Sequence, residues 1–240
     1  MKNLIYDIFR IVKKSEILFL AFIKIFRKKE YECIVQKDYD LCICGYPSSA
    51  NTFVYKYINE LYKGTKKISH HNHSPGVMKR AIKCNVPAVF ISRNPVDAIS
   101  SYYVRFSQGN TFSIKTALKA YVDFYNVVKQ YCDKIIIIDM KTITNDMPYW
   151  LNIIFEKINI EYSKERLDNE SDVIVQAAIR NIQEFESSRP TTMTSLPSKE
   201  KETLKQKVIN ELNSIKGYET AVELYDYIHQ YSIENEQNNE

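Results

Sequence analysis

In the stretch ICGYPSSANTFVYKYI (43–58), Gly45 and Pro47 interrupt an apolar run, and Ser48, Ser49, Ala50, Asn51, Thr52 and Phe53 lead into a helical pattern. Small residues at such a junction let backbone N–H groups approach an anion, and the Ser49 and Thr52 hydroxyls and the helix dipole complete a cradle. Plain turn chemistry is the alternative use of the same residues. A triphosphate loop of the form GxxxxGK[ST] needs a lysine where this chain has Asn51 or Thr52, which argues against ATP or GTP hydrolysis. Further on, Arg93 directly follows the apolar run PAVFIS, and Ser101 lies about two helical turns later. A guanidinium at a strand end with a helix hydroxyl beside it suits a terminal phosphate; an Arg93–Asp97 ion pair at a helix start is the alternative. The segment ISHHNHSP holds His70, His71 and His73. Histidines there serve as a general base, as a polar surface loop or as zinc ligands. No cysteine or carboxylate follows at ligand spacing, so no metal is expected.

These residues need elements to bring them together. LCICGY (41–46), KKISHH (66–71), PAVFIS (87–92) and KIIIIDM (134–140) read as strands, and helical patterns fill the intervals. Helices are expected over about 51–62, from Pro95 with Asn94 as cap, over 114–131, 149–160 and 164–186, and near 198–214 and 218–231. Fully apolar strands alternating with helices predict an α/β three-layer sandwich around a parallel sheet of about four to five strands, with a helical C-terminal part. In such a sheet the segments after the first three strands, 47–52, 70–73 and 93–101, converge on the ligand site. Tyr102, Tyr103, Phe106, Tyr121 and Tyr125 lie on segments that either line an acceptor pocket or fill the core.

The two motifs together resemble those of the sulfotransferase family. GYPSSANTFVYKYI is similar to that family's 5′-phosphosulfate loop, YP[KR]SG[TN]TW, and FISRNPVDAISSYY to its 3′-phosphate motif, RxPxDxxxSxY, with Arg93, Pro95, Asp97, Ser101 and Tyr103 in register. KIIIIDMKTITNDMPYWLNIIFEKINI and the region from RPTTMTSLPSKEKETLKQKV to AVELYDYI resemble later family segments, so the similarity spans about residues 40–230. The resemblance implies a P-loop NTPase-like fold and transfer of a sulfuryl group from 3′-phosphoadenosine 5′-phosphosulfate (PAPS) to a hydroxyl or amine, without a metal. Adenosine 3′,5′-bisphosphate (PAP) would be the product. Residues Ser48 to Phe53 would wrap the 5′-phosphosulfate, Arg93 and Ser101 would bind the 3′-phosphate, and His71, or else His70, would be the general base. The acceptor would be a glycan, a lipid-linked saccharide or a small metabolite. The chain departs from the pattern at Ser48, where the family has Lys or Arg, at Ala50 in place of glycine and at Phe53 in place of tryptophan. Lys56, Lys79, Arg80 and Arg105 are the cations that could stand in for the first, and Arg189 could replace part of the family's C-terminal RKGxxG element. A catalytically impaired nucleotide-binding relative and a small-molecule kinase are the alternatives.

The bulk composition fits this frame. With 240 residues, 45% of them hydrophobic and 26% charged, the chain can bury a full core. A net charge of +4 without a patterned basic face argues against nucleic acid. Five cysteines, with Cys42 and Cys44 inside a strand pattern, predict small buried hydrophobes and a reducing, cytoplasmic compartment. Residues 1–39 form an amphipathic basic segment before the expected domain at 40–232, and the polar tail 233–240 is expected to be disordered. Within that segment SEILFLAFIKIF (15–26) is short of the roughly 20 residues that span a bilayer. It is either a helix packed on the domain or an interfacial helix that gives residues 1–30 peripheral contact with the inner face of a membrane. Oligomeric state is not legible in the sequence.

Overall fold

The computed structural model describes residues 11–31, 33–70, 73–107 and 112–237. Four strands form one parallel sheet in the order β2-β1-β3-β4: β1 (Leu41–Gly45), β2 (Ile68–Ser69), β3 (Ala88–Ser92) and β4 (Ile136–Asp139). Register is fixed by pairs such as Cys42 with Ala88 and Val89 with Ile136. Side chains alternate between two cores, as strand geometry demands. Cys42, Cys44, Ala88, Phe90 and Ile137 face one, and Leu41, Ile43, Val89, Ile91, Ile136 and Ile138 face the other. A sheet buried on both faces needs continuous apolar strands, which is what the sequence supplies.

Helices cover both faces. The first core packs against α1 (Glu16–Phe26), α4 (Pro75–Cys84), α5 (Pro95–Phe106), α6 (Ile114–Val128), α11 (Lys199–Leu212) and α12 (Tyr218–His229), while a short α2 (Lys28–Tyr31) follows α1. The second packs against α3 (Asn51–Leu61), α7 (Met140–Asn145), α8 (Met147–Lys157), α9 (Lys164–Asn169) and α10 (Ser171–Phe185). The expected three-layer α/β sandwich is therefore observed, with four strands.

Two expectations need correction. The strand over 66–71 shrinks to Ile68–Ser69, because Ser69 Oγ and the His70 N–H are both drawn to the Cys33 carbonyl at 2.8 and 3.4 Å. The tail from residue 233 is not disordered throughout: Ile233–Gln237 forms a short helix, α13, with Ile233 buried in the second core. Its Glu234 carboxylate accepts the Asp139 N–H at 3.0 Å, so one polar side chain ties the tail to the end of β4. All five cysteines are free thiols, and Cys42 and Cys44 are buried as small hydrophobes.

Candidate functional site

Order 2-1-3-4 makes the connections leave β1 and β3 in opposite directions, so a crevice opens beyond their carboxyl ends. Gly45 ends β1 because nothing larger fits: a Cβ there would lie 2.4 Å from Asn51 Oδ1 and 2.8 Å from the Ile91 carbonyl. The chain then turns through Ser48 and Ala50, both in the left-handed region at φ 68° and 56°. Ala50 precedes α3 with no side-chain cap, leaving the first N–H groups of that helix without a capping side chain. Asn51 is buried and donates through Nδ2 to the carbonyls of Gly45 and Tyr46 at 3.2 and 3.3 Å, which pins the loop's entry to its exit.

Arg93 stands one residue past β3. Its backbone is clamped by two stacked tyrosines: its N–H donates to Tyr125 Oη at 2.8 Å, and its carbonyl accepts from Tyr121 and Tyr125 at 2.8 and 3.1 Å. Its guanidinium crosses to the neighbouring loop, where Nη1 donates to the Ser48 carbonyl. Burial pulls this guanidinium below its ordinary range, opposed by the charges of Asp97, Tyr125, Asp139 and Glu202. The Arg93–Asp97 ion pair considered from sequence does not form among the described residues; Asp97 meets Lys141 at 3.3 Å instead.

Ser48, Ala50, Asn51, Thr52, Phe53, Arg93 and Ser101 all border one cavity of about 400 Å³. Ser49 is fully buried beneath the loop, and its Oγ, Asn51 Oδ1 and Arg93 Nε have no hydrogen-bond partner among the described residues. Sequence reading named Arg105 only as one of several stand-in cations and missed Lys201 and Lys205; all three border this cavity. The other stand-ins lie elsewhere: Lys56 sits over the Tyr55 ring, Lys79 donates to the Lys14 carbonyl, and Arg80 donates to the Val35 carbonyl. Arg189 does not border the cavity either; it pairs with Glu186 at 3.0 Å.

Glu186 explains how the far wall is built. This carboxylate is 3% exposed and accepts from Arg105 at 2.9 Å, Arg189 at 3.0 Å and Ser195 Oγ at 2.8 Å. It thereby fastens the segment 187–198 to α5. Lys201 continues the wall, donating to the Thr194 carbonyl at 2.6 Å and to the Leu196 carbonyl. Its partners are neutral, and burial, with Arg105 and Lys205 nearby, lowers its pKa to about 8. The signal that could have revealed Lys201 and Lys205 is their four-residue spacing behind the Ser198 cap, which puts both on one helix face.

A second cavity of about 60 Å³ adjoins the first. Tyr46, Pro47, Tyr102, Phe112 and Phe124 wall it, Lys13 and Lys14 close it, and His73 borders both cavities. Tyr121 and Tyr125, in contrast, are fully buried and belong to the core. The histidines separate. His70 stacks on Tyr55 at 3.3 Å and borders neither cavity, while His71 lies outside the described residues. His73, held at φ 33°, places Nδ1 3.2 Å from both the Gly45 carbonyl and Asn51 Nδ2. Among the described residues no cluster of three or more His, Cys, Asp or Glu is placed to hold a metal ion.

Fold and site together define a parallel α/β protein in which a strand–loop–helix junction without a side-chain cap faces a wall carrying Arg105, Lys201 and Lys205. No protein-family model matches the chain, and no curated protein matches it. Among solved structures it is similar to a mouse sulfotransferase, SULT7A1, crystallised in complex with PAP: 14% identity, a TM-score of 0.44, and coverage of 82% of this chain and 90% of that one.

Proposed function

We propose that the protein transfers a sulfuryl group from PAPS to a hydroxyl or amine of a small-molecule or carbohydrate acceptor. The observation that supports this most is that two motifs some 40 residues apart, the 48–53 loop and the Arg93–Ser101 pair, border one cavity. The buried donors Ser49 Oγ and Arg93 Nε, without partners among the described residues, fit the same reading. A buried donor left unsatisfied costs about 1–3 kcal/mol, and the oxygens of a polyanionic nucleotide are acceptors.

When bound, PAPS supplies a sulfuryl group already activated by its link to phosphate, so the protein need only bind, orient and move a proton. The loop amides and the uncapped start of α3 would hold the 5′-phosphosulfate, and Arg93 and Ser101 the 3′-phosphate. Ile179, Ile182, Leu196 and Pro197 offer a purine an apolar wall. Lys201, whose hydrogen-bond partners are neutral, would supply the positive charge that Ser48 cannot, with Arg105 and Lys205 beside it already paired to Glu186 at 2.9 Å and Glu202 at 2.7 Å. His73 is favoured over His70 as the base because it borders both cavities. Nδ1 lies 3.2 Å from both the Gly45 carbonyl and Asn51 Nδ2, and the base role requires the tautomer that donates Nδ1–H to the carbonyl rather than accepting from Asn51. That tautomer leaves Nε2 unprotonated and able to take the acceptor's proton. His71, two residues away, is the other base within reach of the reading.

Ser48 favours a second reading, a nucleotide-binding relative without transfer activity. Incubation with sulfur-labelled PAPS and an acceptor panel separates the two. Sulfotransferase activity predicts labelled acceptor, and His73→Ala is expected to lower kcat about 100-fold, a far larger effect than on PAP affinity. Tight PAP binding with no labelled acceptor would establish the second reading. Transfer of the γ-phosphate from Mg-ATP would overturn both.

A further inference from the structure

Helix α1 turns apolar residues both inward and outward. Phe19 and Ile23 are buried in the first core, while Ile17, Leu18, Ile25 and Phe26 are 73, 50, 64 and 72% exposed. At the 100° per residue of an α-helix Ile17, Leu18 and Ile25 fall on the arc opposite Phe19 and Ile23, whereas Phe26 comes back to within about 20° of Phe19 and is exposed at the helix's last residue, its ring meeting Phe22 at 5.3 Å. An outer face of this kind on a helix that is free to move would fold inward. Here the helix is fixed. Ser74 Oγ donates to the Lys13 carbonyl at 2.8 Å, Lys79 donates to the Lys14 carbonyl at 3.3 Å, and Glu16 meets Arg80 at 3.4 Å and Lys83 at 3.7 Å. Gly76 lets the chain come this close, since a Cβ on it would lie 3.2 Å from the Lys13 carbonyl.

From this geometry we infer that the outer face and exposed C-terminal end of α1 dock on an anionic lipid surface, with Ile17, Leu18 and Ile25 of the face and Phe26 of the end in the acyl boundary and Lys24, Arg27 and Lys28 at the headgroups. Charge identifies the occupant. Lys13 and Lys14 turn to the small cavity, with Lys14 paired to Asp123, so the positive charge at the outer end of α1 is that of Lys24, Arg27, Lys28 and Lys29, against Glu16 and Glu30. Both acids are already paired, Glu16 as above and Glu30 with Arg27 at 3.0 Å. No described helix is long and apolar enough to cross a membrane, so the contact is interfacial. The inference is independent of the proposed transfer activity.

Flotation of the full chain with phosphatidylcholine vesicles, with and without phosphatidylglycerol, tests it. The expected result is flotation with the anionic vesicles, weaker with the neutral ones and reduced by salt. Ile25→Ser/Phe26→Ser, changing only exposed side chains, is expected to lower the partition coefficient about tenfold or more. Lys24→Glu/Lys28→Glu should abolish the preference for anionic vesicles, and it keeps the test informative if the first variant misfolds. Wild-type protein that stays unbound with both vesicles overturns the proposal. So does equal flotation of wild type and both variants, or a concentration-dependent dimer that Ile25→Ser/Phe26→Ser dissociates.

Discussion

Arg93 carries more of the site than any other side chain. Tyr121 and Tyr125 fix its backbone, and its guanidinium bridges from β3 to the Ser48 carbonyl on the neighbouring loop. Replacement by Ala should weaken PAP binding by about 2 kcal/mol or more, the worth of a charge-assisted contact, when measured by isothermal titration. Lys201 gives a pH dependence whose sign can be worked out. Its pKa is lowered to about 8, chiefly by burial. A bound anion favours the charged form and raises that pKa, so binding takes up a proton and affinity falls as pH rises through about 8. Titration in buffers of different ionisation enthalpy should show proton uptake near this pH, and Lys201→Met should remove it. Arg93, Ser101 and the 48–53 loop were legible in sequence because each sits at a fixed offset from a strand end. Lys201 and Lys205 were not, since only tertiary packing of α11 on α5 brings them to the loop. Motif position points to His71 or His70, whereas the proposal of His73 rests on its place bordering both cavities, which depends on two loops meeting and leaves no mark in the local sequence.

At the scale of elements, the segment 187–198 forms a wall only because Glu186 holds it. A buried carboxylate with Arg105, Arg189 and Ser195 as partners cannot be removed without leaving Arg105, itself largely buried, uncompensated. Glu186→Ala is expected to cost about 3 kcal/mol or more in urea unfolding and to loosen nucleotide binding as well. The four strands and most helices could be read from apolar runs, caps and proline positions, with errors at the ends. The break between α9 and α10 at Glu170 falls inside one helical pattern, and periodicity alone does not mark it. Docking of α13 was missed for a different reason: its composition is polar, and the group that anchors it is a carboxylate accepting a backbone N–H from β4. Neither of the two readings of the N-terminal segment excluded the other. One face of α1 packs on the domain, and the opposite face stays exposed.

In the molecule as a whole, a strand order that reverses direction at β1 and β3 opens one crevice, and the helical C-terminal part closes over it. The result is a large cavity bordered by Arg93, Arg105, Lys201, Lys205 and Glu202, joined at His73 to a small aromatic one. That division suits a reaction between a polyanionic donor and an uncharged acceptor group, each desolvated from its own side. A crystal structure with PAP bound tests this arrangement most directly. It should show the 5′-phosphate against the amides of residues 48–53 and the 3′-phosphate within hydrogen-bond distance of Arg93 and Ser101, with His73 facing the empty position of the transferred group. PAP bound elsewhere, or bound in the crevice with the Arg93 guanidinium turned away from both phosphates, would contradict it.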